Sequence, residues 1–350
     1  MKRWLMHPMN IGKLLIFGTF LVLAATASAA AAEEPVLNIY TARHYQSDDE
    51  IYAAFTKATG IAVNRIEDKE DALIERIKNE GANSPADLFI TADAGRLWRA
   101  QDVGILQPVD SPVLNERIPA SLRDPDGHWF GFSMRARVIY YSKAELGPDA
   151  VASYEDLADP KWRGKICIRS GSNVYNLSLL GSLIELKGEA EAEIWAKGVA
   201  ANLAREPQGG DTDQIKAVAA GECQLAVANT YYYVRLMKSD DPADREVAEK
   251  VGVIFPNQGD RGTHVNISGA GVTTHAKNRA EAIRFLEWLA TPDIQARFAS
   301  ANFEFPANPA AKTEPVVAAW GPFKQALINV GRVGETQPAA VRLMDRAGWR

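Results

Sequence analysis

The chain has 350 residues, with 39 Lys and Arg against 44 Asp and Glu and a formal charge of −5. An acidic chain without a basic run is a poor partner for nucleic acid, and none is expected. The length is enough for one large or two moderate domains, each with its own core.

Taken in chain order, the first segment reads as an address. Residues 1–13 carry Lys2, Arg3 and Lys13 and no acid, residues 14–25 are apolar, and residues 25–32 are mostly small. The apolar run is short for spanning a bilayer, so residues 1–32 are expected to be a signal peptide cleaved near 29–32. The product would be a periplasmic chain beginning near Ala30 to Glu33. Losing those three cations leaves 36 basic against 44 acidic residues, a formal charge of −8.

Strands and helices then alternate. Strands are predicted at 36–40, 61–67 and 86–92, with amphipathic helices at 48–60, 70–81 and 95–104 between and after them. Gly60 and Gly81 stop the first two helices. Short apolar runs between helices of ten to twelve residues are the pattern of a parallel sheet with crossovers. The apolar run at 128–143 predicts a long strand crossing between lobes. A short helix and Pro-Gly turn follow at 153–165, a strand at 165–171 and a helix at 173–188. Helices at 190–204 and 211–222 precede strands at 223–229 and 252–256. A strand at 267–274, helices at 278–291 and 293–300, and one more helix within 315–333 complete the reading.

The inferred fold class is α/β, two-lobed, with a ligand crevice between the lobes. Residues 33–133 plus about 262–311 would form one lobe, and 134–261 plus about 312–350 the other. Cys167 and Cys223 lie in apolar strand-like runs of an exported chain. A bridge between neighbouring strands is expected, with two buried thiols as the alternative. No C-x-x-C occurs, so a cysteine metal site is not indicated.

Three junctions share one local grammar. "LNIY" runs into "TARHYQSDDE", "KICIR" into "SGSNVYNLS", and "CQLAVA" into "NTYYYVR". Each is an apolar strand, a polar or small-residue turn, and a tyrosine at or near the first turn of a helix. Ligands of open α/β sheets bind at the carboxyl ends of strands. Tyr45 and Tyr175 could each simply pack on the neighbouring helix or sheet. The Tyr231–Tyr232–Tyr233 run is different, because successive helical residues point about 100° apart. Tyr233, with Leu236 and Met237, fits the packing face and leaves Tyr231 and Tyr232 for the crevice.

Converging phenols could bind a sugar, box an organic cation such as a polyamine or thiamine, or hold a metal as phenolates. A phenol near pKa 10 ionises at neutral pH only with strong compensation, which a hard, highly charged cation supplies. Fe3+ suits such oxygen donors, whereas the signatures of Zn2+ and Ca2+ are missing.

The set "YTARHY", "SGSNVYNLS" and "NTYYYVR" on this chain resembles the periplasmic ferric-iron-binding proteins of bacterial ABC importers, in their tyrosine-rich branch. The resemblance covers essentially the whole mature chain. It implies a type II periplasmic binding protein fold, Tyr45, Tyr175, Tyr231 and Tyr232 as phenolate ligands of Fe3+, and His44 as a variable fifth. It also implies an inner-membrane ABC permease as partner, and a monomer is expected. The neisserial-type branch instead uses a His, an acid, two tyrosines and an anion. Here Asp93 falls near the acid's place and Tyr175 occupies the anion-side loop, so a synergistic anion such as carbonate is optional.

Four phenolates exceed the charge of Fe3+ by about one, which a buried site tolerates only beside a cation. Arg43 and Arg135 are the candidates, Arg135 favoured by its place in the crossing strand, with Arg169 and Arg235 behind them. Surface solvation or structural ion pairs would explain the same arginines. His128, His264 and His275 lack mutual metal spacing and are read as structural. Ser170, Gly171 and Ser172 could hold a phosphate, but capping by Ser172 or Asn173 explains them equally well. No hydrolase or metalloprotease motif occurs, so an enzyme is not expected.

Overall fold

The computed structural model describes residues 35–43, 46–326 and 328–350, so the proposed leader lies outside the described residues. Among the described residues the strands are β1 (Val36–Thr41), β2 (Ala62–Glu67), β3 (Leu88–Ala92), β4 (Phe130–Ser142), β5 (Ile166–Cys167), β6 (Leu225–Asn229), β7 (Val251–Ile254), β8 (Val265–Val272) and β9 (Phe305–Pro306). Their order is β2-β1-β3-β8-β4-β6-β5, with β7 and β9 also paired to β4. β1 runs parallel to β2 and β3, and β5 parallel to β6. All pairings of β4 and β8 are antiparallel. The sheet is therefore mixed, parallel toward its ends and antiparallel in the middle. Returning strands such as β8, distant in sequence from β3 and β4, are invisible to a local βαβ pattern.

β4 carries the sheet from one side to the other. All 13 of its residues are buried. Phe130 to Ala136 pair with β8, and Arg137 to Ser142 continue against β6 and β7. Covering on both faces is why this segment reads as a near-continuous apolar run. Alternation then sorts the side chains of β6. Ala226 and Ala228 join a large core with Leu37, Phe55, Phe89 and Phe285. Leu225 and Val227 join a second core with Ile139, Tyr154, Leu180, Trp195 and Leu343.

Cys167 of β5 and Cys223, just before β6, form a disulfide with Cα atoms 5.8 Å apart, as expected for neighbouring strands.

Several local expectations differ. Residues 153–165 form two 3-10 turns, Glu155–Ala158 and Pro160–Trp162, and the strand expected over 165–171 is only two residues long. The single helix expected within 315–333 is two, Pro315–Ala318 and Val330–Glu335. Gly321, at φ 72°, and Pro322, which lacks an N–H, break the run between them. The helix Gln337–Ala347 was not anticipated.

Candidate metal centre

The centre is built where β6 and the segment after β5 run into helices. β6 leads directly into the helix Thr230–Met237. As the helix turns, Tyr233 goes inward. Its hydroxyl donates to the carbonyls of Ala248 (2.9 Å) and Val251 (3.3 Å), and its ring lies 5.7 Å from that of Tyr140. Leu236 is buried with it, but Met237 is exposed and does not belong to the packing face. Tyr231 and Tyr232 point elsewhere, with ring centroids 4.3 Å apart.

Tyr175 comes from another element, the helix Val174–Lys187. Asn173, not Ser172, caps it, its side chain accepting from the Tyr175 N–H at 3.0 Å. Ser170 and Ser172 instead bond each other through their hydroxyls at 2.8 Å. Gly171 is required by close approach, since a Cβ there would sit 2.2 Å from the Trp349 carbonyl oxygen. Trp349 also donates its indole N–H to the Arg169 carbonyl at 3.1 Å, so it pins the loop that delivers Tyr175.

The two tyrosine helices bring their phenols together. The Tyr231 hydroxyl donates to that of Tyr175 across 3.4 Å. Burial, followed by the facing Tyr175 and Asp211, pushes the Tyr232 phenol well above its ordinary range, against the lowering effects of Tyr231 and Arg169. The metal-free phenol is therefore neutral at physiological pH. His44 and Tyr45 lie outside the described residues. Among the described residues no three His, Cys, Asp or Glu side chains cluster as a metal site. What converges here is phenol hydroxyls, those of Tyr231 and Tyr175.

Four guanidiniums lie within 6 Å of the phenol rings, and Arg43 is linked to one of them through Glu304. Arg135 lies 5.8 Å from the Tyr231 ring centroid. It donates to the Ile267 carbonyl, to the Ser268 hydroxyl at 2.6 Å and to Glu304 at 2.8 Å. Arg43 pairs with Asp48 at 3.0 Å and Glu304 at 3.8 Å, and stacks 3.8 Å over Phe298. Burial pushes the Glu304 carboxyl up, yet Arg135 and Arg43, with Ser133 and Asn302, outweigh it and hold it below the usual range. Arg235, exposed at its helix, lies 5.1 Å from the Tyr231 ring and 5.7 Å from the Tyr232 ring.

Arg137 and Arg169 form a second group. Arg137 pairs with Asp211 at 3.0 Å and donates to Asn229 (3.0 Å) and Asn176 (2.6 Å). Arg169 reaches the other Asp211 oxygen at 3.5 Å. Their guanidinium carbons lie 5.8 and 5.5 Å from the Tyr175 ring centroid. Asn176, next to Tyr175, donates to the carbonyls of Arg169 (2.8 Å) and Ser170 (3.0 Å).

Asp93 is fully buried at φ 84° and serves a structural junction. It accepts from the Gly95 N–H, the Ser178 hydroxyl and the Asn266 amide, tying β3 and β8 to the helix that carries Tyr175. Burial raises its carboxyl pKa, with Arg96 first among the opposing effects. The three histidines do not assemble. His264 is buried, His128 pairs with Asp124 at 2.8 Å, and His275 is exposed beside a small cavity with Ser84.

Sequence reasoning missed Glu304, Arg137 and Asp211. Two arginines two apart in an apolar strand were a usable signal, since buried cations must find partners. An acid between two phenylalanines, at Glu304, was another.

Comparison with known proteins places this arrangement in context. A model of the bacterial extracellular solute-binding proteins matches residues 83–324. Iron uptake protein A2 of Synechocystis is 52% identical over 334 residues, 95% of each chain. The major ferric iron-binding protein of Neisseria meningitidis is 28% identical over 340 residues, 95% of this chain and 98% of its own. A Trichodesmium protein solved in complex with iron and citrate ligands matches with TM-score 0.88 and 55% identity, covering 90% of this chain and 100% of its own. The mixed α/β architecture is thus a periplasmic binding protein fold. This chain belongs to the family of bacterial extracellular solute-binding proteins.

Proposed function

We propose that this protein captures Fe3+ in the periplasm and delivers it to an inner-membrane ABC permease. Tyr175, Tyr231 and Tyr232 supply phenolate oxygens, with Tyr45 as a fourth ligand and His44 as a variable fifth. The observation that carries the reading is the meeting of phenols from two separate helices, Tyr231 on Tyr175 at 3.4 Å with the tilted Tyr232 ring alongside. Tyr231 is buried at 3% exposure, as Tyr233 is at 9%, and what sets it apart is that its hydroxyl meets another phenol where that of Tyr233 meets backbone carbonyls. The iron names of relatives spanning nearly the whole chain support the same cargo.

The binding chemistry follows from the phenols. Burial holds the Tyr232 phenol in its protonated form, so Fe3+ must displace that proton to take its oxygen. The protein binds and releases; it transforms no substrate. Residues 33–133 with about 262–311 form one lobe and 134–261 with about 312–350 the other, and hinge closure over the ion completes the ligand set. The chain is exported by cleavage of residues 1–32 and acts as a monomer. With protein oxygens filling most positions, a synergistic anion such as carbonate is optional. Metal analysis of the protein isolated from the periplasm tests the reading. Iron as the dominant metal is the expected result, and a metal-free protein carrying an organic cation would refute it.

A further inference from the structure

The phenolate reading leaves a charge to be accounted for. Four phenolates around Fe3+ carry one net negative charge, and most of the surrounding cations are already matched. Arg43 and Arg135 face two carboxylates, Asp48 and Glu304. Arg235 is exposed, so solvent and salt screen its charge. The group under Tyr175 differs. Among the described residues, Arg137 and Arg169 share a single ion-paired carboxylate, Asp211. The Asp211 side chain is fully buried and that of Arg137 is 2% exposed. The Nε–H of each arginine is buried without a protein partner among the described residues. Both guanidiniums lie within 6 Å of the Tyr175 ring centroid.

We infer that Arg137, Arg169 and Asp211 form a built-in site of one net positive charge beneath Tyr175, which offsets the excess negative charge of the tyrosine-bound ferric ion. This inference rests on the proposed phenolate site. Its parts are fixed before metal arrives. Asn176 receives Arg137 and fastens the Arg169–Ser170 backbone, while the Asn229 N–H, at the end of β6, holds Asp211 at 2.9 Å. The same bonds tie both tyrosine helices to the cations, so the positive charge cannot drift from the ligands. These are positioning residues, acting on the iron through the tyrosines. At such range in a partly buried site, one unit of charge changes affinity on the order of tenfold per unit of charge on the complex. The ferrous complex carries one more negative charge than the ferric one, and therefore depends on the cations more.

The test measures Fe3+ affinity and the midpoint potential of bound iron in the full mature chain, loaded from ferric citrate. Arg169→Gln is expected to weaken Fe3+ binding about tenfold and lower the midpoint by about 60 mV, the equivalent of a further tenfold for one electron. Arg169→Lys should restore most of both. Asp211→Asn should move the midpoint the opposite way, upward, because it leaves two cations unmatched. Opposite signs from the two variants distinguish charge from packing, since a merely structural defect shifts both the same way. Shifts of equal sign, or potentials unchanged in both variants while the wild type still colours with iron, overturn the inference and leave the phenolate site standing. If the wild type itself develops no phenolate-to-iron band, the site reading fails first.

Discussion

Replacing Tyr232 with phenylalanine removes one oxygen and little else, because the ring 4.3 Å from that of Tyr231 remains. In the metal-free protein its phenol is pushed above its ordinary value, first by burial and then by Tyr175 and Asp211. Even an unperturbed phenol costs about 4 kcal/mol to ionise at pH 7, at 1.36 kcal/mol per unit below a pKa near 10. Iron must supply that energy. The sign follows directly. Acid favours the protonated phenol, so affinity falls as pH falls, about tenfold per pH unit for each phenol displaced. Three tyrosines therefore give a slope of about three in log affinity against pH, and Tyr45 raises it to about four. Tyr232→Phe should lower that slope by about one, while any contribution from His44 cancels between the two proteins. Competition against a chelator of known protonation, from about pH 5.5 to about pH 7.5, measures both slopes. Equal slopes with equal affinities would show that Tyr232 contributes a face and not an oxygen, as in a cage for an organic cation.

Other parts of the molecule give further tests. Burial, then the Arg137 charge, hold the His264 imidazole down to about 3, against about 6.5 unfolded. The unfolded chain takes a proton below about pH 6.5 that the folded chain refuses, so stability is lost as pH falls through that window. Between pH 6.5 and pH 5 this group costs about 2 kcal/mol, and denaturant unfolding of His264→Gln should lack that part of the slope. Glu304→Gln leaves Arg135 and Arg43 facing a neutral amide and should destabilise by about 3–5 kcal/mol. Unchanged unfolding would mean that neither cation needs the Glu304 carboxylate. Replacing both Cys167 and Cys223 by serine opens a bridge across a sequence separation of 56. A loss of up to about 4 kcal/mol is expected, and a thermal midpoint equal to the wild type would contradict it.

The strands and the Tyr175 and Tyr231–Tyr232 pattern were legible because each depends on a local rule: alternation, a helix turn, a cap. The long run at 128–143 announced β4 by its uninterrupted apolar character, although its antiparallel partners did not show. What was not legible depends on tertiary partners. Nothing near Asp211 distinguishes it from an ordinary acid in the first turn of a helix, yet it neutralises Arg137 from 74 positions away. The crossing strand marks Arg135 as a cation near the site, while Glu304, which faces it, lies 169 positions further on. Asp93 was legible as a residue of note and not in its role, because the Ser178 and Asn266 groups that occupy it come from other elements.

The central claim is that phenol oxygens, and not aromatic faces, take the ligand. Titrating the metal-free mature protein with ferric citrate and recording the visible spectrum tests it directly. The account predicts an orange-red to purple phenolate-to-iron charge-transfer band that saturates at equimolar iron and weakens in Tyr175→Phe and Tyr232→Phe. A spectrum that stays colourless through the titration, with the protein folded, would contradict it.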